Sequence, residues 1–265
     1  MIIRLARRED IPYILQIVRL CIPEKILDLT IFSCEGVEKY IEDIITTHNL
    51  KTKNLIIVAE VNNKVIGMAE FIRNGDYIFL NHIYVTSSMR GMNVGSRLFM
   101  EGLLMARNMG QKNIFLDVFK DNIRALSWYH SLGFEIVQEM SWVIFNYIGN
   151  GKPLNNGGYI LKEYSKALRL YSIYGFSEFI LQTRKGEYRI GLLGEKYYRI
   201  TEKNLLFDCE ALNVLNVIDP NRKFLGIFPY KLDGENIYEV SYVVCDSYKM
   251  KNDIDFVIEK LRAKL

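Results

Sequence analysis

Tyr77-Ile78-Phe79-Leu80-Asn81-His82-Ile83-Tyr84-Val85 is followed closely by Arg90-Gly91-Met92-Asn93-Val94-Gly95-Ser96, and then by a helix-like run in which Leu98, Phe99, Gly102, Ala106 and Met109 share one face. The first stretch is rich in β-branched and aromatic residues and reads as a strand. The second reads as a turn that feeds a helix. Glycine lets the backbone approach an anion, and the first N–H groups of a helix have no intrahelical acceptor, so the turn reads as an anion cradle. Gly-containing turns before helices are common, and this one gains weight from Asn122-Ile123-Arg124-Ala125-Leu126-Ser127-Trp128-Tyr129-His130-Ser131-Leu132-Gly133-Phe134 downstream.

Outward from this segment the pattern is mixed α/β. Ile2 to Ala6 alternates like a strand, and Ile11, Ile14, Leu15 and Val18 recur at helical spacing behind Asp10, a first-turn acid, until Pro23. Val37, Tyr40, Ile41, Ile44 and Ile45 mark a second helix, with Ser33 as its candidate cap. Leu55–Val61 and Val65–Ile72 read as strands joined at Asn62-Asn63, and Asn74-Gly75-Asp76 turns the chain into the strand ending at Val85. Gly110 is expected to end the following helix in the left-handed region. Asn113–Phe119 reads as a strand, Asn122–Leu132 as a short helix, and Phe134–Phe145 as a strand. The expected fold class is therefore α/β (α+β), a mixed central sheet flanked by helices.

The chain has 265 residues, enough for two domains. Gly149 to Gly158 is dense in Gly, Asn and Pro and is read as a linker, which places one domain at 1–148 and a second, smaller α+β domain at 159–265. In the second, Glu178–Arg184 and Tyr188–Leu193 read as a hairpin, about Glu210 to Val217 as a helix, Phe224–Tyr230 and Tyr238–Val244 as strands, and Ile254–Leu265 as a terminal helix. Its role is open among substrate capping, dimerisation and a degenerate copy of the first domain. Leu170 to Phe176 faintly echoes Tyr129 to Phe134, without a counterpart of the glycine turn.

A net charge of +3 gives no case for nucleic acid as a partner. Early charges at the N-terminus argue against a signal peptide, and apolar runs such as Leu55–Ala59 are too short to span a membrane, so a cytoplasmic setting is expected. The four cysteines and three histidines are scattered, and no metal site is expected from their spacing.

The two segments together carry a resemblance. Arg90-Gly91-Met92-Asn93-Val94-Gly95 is similar to the Gln/Arg-x-x-Gly-x-Gly/Ala loop of the GNAT superfamily of N-acetyltransferases, with Asn93 where glycine is usual, and Asn122-x-x-Ala125-x-x-x-Tyr129-x-x-x-Gly133-Phe134 resembles that family's downstream motif. The resemblance covers residues 1 to about 148. It implies acetyl-CoA as acyl donor and a primary amine as acceptor, joined by direct attack in a ternary complex. Backbone N–H groups of Met92, Asn93, Val94, Gly95 and Ser96, with Gly91 and the charge of Arg90, would hold the pyrophosphate. Ile83, Tyr84 and Val85 would pair with the pantetheine arm like an added strand, with an N–H near Val85 facing the thioester oxygen. Asn122 would hold the arm or order the loop after it. Tyr129, a phenol protonated at neutral pH, is the candidate acid for the leaving thiolate.

His82 is the candidate base. Simple alternation puts Leu80, His82 and Tyr84 on one face and Phe79, Asn81 and Ile83 on the other. Asn81 could orient a water, Glu70 and Asp117 are further carboxylates that could act through water, and His130 and Trp128 are read as surface and packing residues. The rival reading is a noncatalytic acyl-CoA sensor. A homodimer remains open.

Overall fold

The computed structural model describes residues 1–47, 53–147, 158–229 and 238–265. In chain order the elements are β1 (Ile2–Leu5), α1 (Ile11–Cys21), α2 (Glu24–Leu27), α3 (Val37–Thr46), β2 (Asn54–Val61), β3 (Lys64–Asn74), β4 (Tyr77–Val85), α4 (Val94–Asn108), β5 (Asn113–Phe119), α5 (Ile123–Ser131) and β6 (Glu135–Tyr147). There follow β7 (Ile160–Lys162), α6 (Tyr164–Tyr174), β8 (Phe176–Gln182), β9 (Glu187–Leu193), β10 (Tyr197–Ile200), α7 (Cys209–Ile218), β11 (Lys223–Pro229), β12 (Tyr238–Asp253) and α8 (Ile254–Arg262). The mixed α/β class expected from sequence is the one found.

Compactness divides the chain into two units. The first holds Met1–Pro23, Glu38–Gln138 and Tyr248–Leu265, and the second holds Glu24–Val37 and Glu139–Ser247. The last helix, read from sequence with the second domain, thus belongs to the first unit. The linker reading at 149–158 lies, except for Gly158, outside the described residues.

In the first unit the strand order is β1-β2-β3-β4-β5, with β12 next to β5. β1 to β4 form an antiparallel meander, and β4 pairs with β5 in parallel after the crossover through α4. Asn62 and Asn63 both take positive φ (50° and 59°), as a two-residue hairpin turn between twisted strands requires. Phe71 and Phe99 stack at 6.3 Å between sheet and α4. Gly102 faces the Phe71 ring so closely that any Cβ there would collide with it, which is why α4 can lie down on the sheet. Leu98, Leu103 and Ala106 complete its buried stripe, and Ile254, Val257, Ile258 and Leu261 of α8 join the same core.

In the second unit the order is β12-β6-β11-β10-β9-β8-β7, with β10 and β11 parallel and joined through α7. Its core centres on Phe145, Phe179, Tyr198, Phe224 and Phe228, with Leu212 and Leu215 of α7.

Two readings are corrected, and three elements add to those read from sequence. Ser33 does not cap α3: it closes a short 3₁₀ turn, its hydroxyl donating to Thr30 O at 3.0 Å, and α3 begins four residues later. α6, β7 and β10 were not foreseen as elements, since each is short or carries few buried residues. β12 runs on to Asp253, beyond the expected end at Val244.

Asp10 offers no side-chain cap to α1. Its buried carboxylate accepts from Arg7 N at 2.7 Å and from both terminal nitrogens of Arg4 at 2.6 and 2.9 Å, while Arg4 Nε also reaches Glu60 at 2.7 Å. Burial alone would push the Asp10 carboxyl up, but the Arg4 and Arg7 contacts hold it below the usual carboxylate range. A depressed folded pKa stabilises above the unfolded value of ~3.9 and the gain is lost as pH falls through the folded one. Asp10→Ala is expected to cost about 2–3 kcal/mol at pH 7 in urea unfolding, with the gap to the parent chain closing below about pH 4.

Candidate functional site

The site is built around an irregularity between β3 and β4. The register runs Phe71↔Leu80 and then Glu70↔His82, so Asn81 is an extra residue on β4. A bulge of this kind shifts the phase of the strand. Ile78 and Leu80 face the α4 core before it, and Ile83 and Val85 face that same core after it. His82 and Tyr84 consequently lie on the face opposite Leu80, which corrects the simple alternation expected for Phe79 to Tyr84.

The bulge also marks where β4 and β5 part. Their parallel ladder runs from Tyr77↔Asn113 to Leu80↔Leu116, and among the described residues β5 pairs none of Asn81 to Val85. Thr86 N donates to Ile66 O of β3 at 3.0 Å. Polar groups alternate sides along a strand, so those of Val85 face the open side, away from β3. Val85 O there accepts from Arg90 Nε at 3.3 Å and lies 3.7 Å from Cys21 Sγ. Arg90 Nη2 is 3.5 Å from the same sulfur. Arg90 is therefore turned back onto the end of β4. Cys21, one of the four scattered cysteines, is a neighbour of the site that only the tertiary structure could reveal.

Beyond Val85 the chain makes a 3₁₀ turn at Ser87–Met89 and enters the glycine segment. Gly91 has φ 84° with open space where a Cβ would stand, and Asn93 has φ 57° at the N-terminus of α4. Gly91, Met92 and Asn93 are exposed, Val94 is buried, Gly95 and Ser96 are half-buried, and no side chain caps the helix. Free helix N–H groups beside an exposed turn can receive an anion.

Tyr129 of α5 is only 5% exposed, with ring centroids 6.4 Å from Phe99, 5.6 Å from Phe134 and 5.0 Å from Trp128. Burial pushes its phenol well up, so it stays protonated. Asn122 Oδ1 accepts from Ala125 N at 3.2 Å and caps α5. Trp128 packs on Phe99 of α4 at 5.6 Å, and His130 is exposed. Asp117 is exposed on β5, past the last ladder pair.

Glu70 is 5% exposed and accepts from Asn54 Nδ2 at 3.0 Å and Asn81 Nδ2 at 2.8 Å. Its Oε2 is 3.8 Å from His82 Nε2, and Tyr84 OH is 3.4 Å from His82 Nδ1. Burial pulls the imidazole pKa down while Glu70 pushes it up, and burial raises the Tyr84 phenol. Of the candidate bases and carboxylates, the structure brings together His82, Glu70 and Asn81. Among the described residues no group of three or more His, Cys, Asp or Glu side chains is arranged to hold a metal. No described helix is long and apolar enough to cross a membrane.

Residues 24–134 match the model of the acetyltransferase (GNAT) family. The match places a GNAT acetyltransferase domain at residues 24–134, under half of the chain. At the level of the fold, a tandem GNAT protein from the clavulanic acid biosynthesis pathway is similar over 96% of this chain and 98% of its own, at 10% identity and a TM-score of 0.62. A GCN5-related N-acetyltransferase from Sphaerobacter thermophilus is similar over 96% and 95%, at 13% identity and a TM-score of 0.57. The second unit is accordingly GNAT-like in fold. Its β8-β9-β10 meander, α7 and parallel β11 repeat the plan of β2-β3-β4, α4 and β5.

The two corresponding helix N-termini differ. In the second unit the end of α7 is filled by Asp208, which is fully buried and accepts from Glu210 N and Ala211 N at 3.1 Å each. Its other oxygen accepts from Thr183 Oγ1 at 2.5 Å and from Tyr188 OH at 3.0 Å. An internal carboxylate thus occupies the place where α4 of the GNAT domain has none.

Left-handed backbone at Asn93 is tolerable for asparagine and costly for β-branched residues. Asn93→Val is expected to lower stability by about 1–2 kcal/mol, whereas Asn93→Gly should leave the thermal midpoint within a degree or two. Parallel melting curves of the two variants check both.

Proposed function

We propose that the first unit transfers an acetyl group from acetyl-CoA to a primary amine, by direct attack within a ternary complex. The observation that carries this reading is the parting of β4 from β5 after Leu80↔Leu116, which leaves the polar edge of Ile83 to Val85 leading straight into the Arg90–Ser96 turn. A pantetheine arm offers amide groups that would extend β4 as an added strand. The pyrophosphate would then meet the free N–H groups of residues 92 to 96, where the helix dipole of α4 favours negative charge.

In this reading the Val85 N–H faces the thioester oxygen and stabilises the oxyanion formed on attack. Tyr129, protonated at all ordinary pH because of its burial, gives its proton to the departing thiolate. His82 accepts the proton lost by the amine, and burial favours the neutral ring needed for that. Asn122 contributes by fixing the start of α5, and hence the position of Tyr129 seven residues on.

The filled N-terminus of α7 supports a single cofactor site per chain, with the second unit noncatalytic. Its role in shaping the acceptor site or an oligomer belongs to the same proposal.

Titration calorimetry should give one acetyl-CoA per chain. Saturation at ~100 times the dissociation constant should add ~2.7 kcal/mol of stability. Tyr129→Phe is expected to lower thiol release by roughly 10²–10³-fold while CoA affinity changes less than about threefold. An unchanged rate would remove Tyr129 from the mechanism, and failure of the parent chain to bind acetyl-CoA would end the acetyltransferase reading.

A further inference from the structure

Both ring nitrogens of His82 are turned toward protein groups. Nε2 faces the Glu70 carboxylate at 3.8 Å and Nδ1 faces the Tyr84 hydroxyl at 3.4 Å, with the two rings stacked at 5.7 Å. Glu70 in turn is held by amide donors from β2 and from the bulge residue itself. An imidazole arranged this way has no nitrogen directed at an amine in the gap. The Tyr84 hydroxyl, by contrast, lies within electrostatic range of Cys21 from α1, Tyr129 from α5 and Glu70 from β3. Cys21 also lies at Val85 O, on the open side of β4.

We propose that Tyr84, His82 and Glu70 form a proton relay, in which Tyr84 contacts the acceptor amine, His82 is the base one step removed, and Glu70 positions and stabilises the imidazolium. This rests on the acetyltransferase reading of the site. The alkylammonium gives one proton to the Tyr84 oxygen as the Tyr84 O–H proton passes to His82 Nδ1. The freed nitrogen lone pair attacks the thioester carbon, forming the C–N bond while the carbonyl π pair moves to oxygen. Collapse restores C=O and breaks C–S. The thiolate takes the Tyr129 proton, and the Tyr129 oxygen is reprotonated from the nitrogen, which becomes the neutral amide. The proton held on His82 is released to solvent before the next turnover.

The charges suit this sequence. A neutral, buried phenol can donate and accept at once, so Tyr84 conducts a proton without being a resident phenolate. The imidazolium formed at His82 is close enough to the fixed Glu70 charge to be stabilised by it. Glu70 is thus a positioning residue that never touches substrate. Among the described residues, Glu70 from β3 and Tyr84 on β4 are titratable groups that face His82, and Cys21 and Tyr129 act in turn on Tyr84.

The test combines the pH profile of thiol release with the imidazole titration of His82 by NMR, on the full chain. Glu70 raises the His82 pKa, so Glu70→Gln should move both the acid limb of kcat/KM and the NMR midpoint to lower pH, and lower kcat about 10–100-fold with KM for acetyl-CoA unchanged. Tyr84→Phe keeps the ring, so it remains decisive should Glu70→Gln fail to fold. It should lower kcat by roughly 10²-fold or more and erase the acid limb, although His82 still titrates. A His82 midpoint unmoved in folded Glu70→Gln, or parental turnover and profile in Tyr84→Phe, would overturn the relay alone. A parent chain that binds acetyl-CoA yet acetylates no amine would overturn the acetyltransferase reading and the relay with it.

Discussion

One inserted residue governs the first unit. Asn81 has no partner of its own in the β3–β4 ladder, and its amide is spent on Glu70, which also takes Asn54. Without that insertion β4 would alternate regularly, and His82 and Tyr84 would face the α4 core with Leu80. The phase shift instead lets Leu80 and Ile83 both remain apolar contacts of the core while two polar rings are delivered to the opposite face. The ladder to β5 stops at the residue before the insertion, so one local event produces both the opening and the groups beside it.

The second unit shows what the same plan becomes when the opening is not kept. β10 pairs with β11 along its whole short length, Tyr197 to Ile200, and the helix that follows begins on a carboxylate supplied by the chain itself. Asp208 satisfies two helix N–H groups and two buried hydroxyls at once, so it is a structural anion with all its neighbours fulfilled. At α4 the equivalent end carries Asn93 in the left-handed region and no side-chain acceptor. The contrast is local and chemical. One helix start is closed by covalently attached negative charge, and the other carries no side-chain cap.

Much of this was legible in the chain. The strand–turn–helix run from Tyr77 to Met109, the Asn62-Asn63 hairpin and the short helix beginning near Asn122 rest on local rules, and local rules read well from sequence. Asn93, which stands where the resembling loops have glycine, adopts the left-handed region, which asparagine tolerates better than most side chains. The face of His82 was misjudged because a bulge has no signature in a run of mixed apolar and polar residues such as Phe79 to Tyr84. Cys21 and Asn54 were missed because they reach the site from α1 and β2, across distances in sequence that no spacing encodes. The terminal helix was seen as a helix, but its membership in the first unit depends on Asn252 Nδ2 meeting Leu132 O and on Phe256 covering Gly133, contacts made only after the chain returns.

The polar cluster at the bulge is also the least economical part of an otherwise apolar sheet. Ile57, Ala69, Phe71, Ile78 and Leu80 surround this region with side chains that need no hydrogen bonds. A buried carboxylate needs several, and exchanging a buried charged group with its partners for well-packed apolar residues is often neutral or stabilising by about 1–4 kcal/mol. Glu70 instead has two amide donors dedicated to it and a histidine at ion-pair distance. Packing alone gives no reason for four polar side chains to converge there. The proposed relay does, because a proton leaving an ammonium group would need a neutral acceptor close by and a fixed negative charge to make the protonated state tolerable.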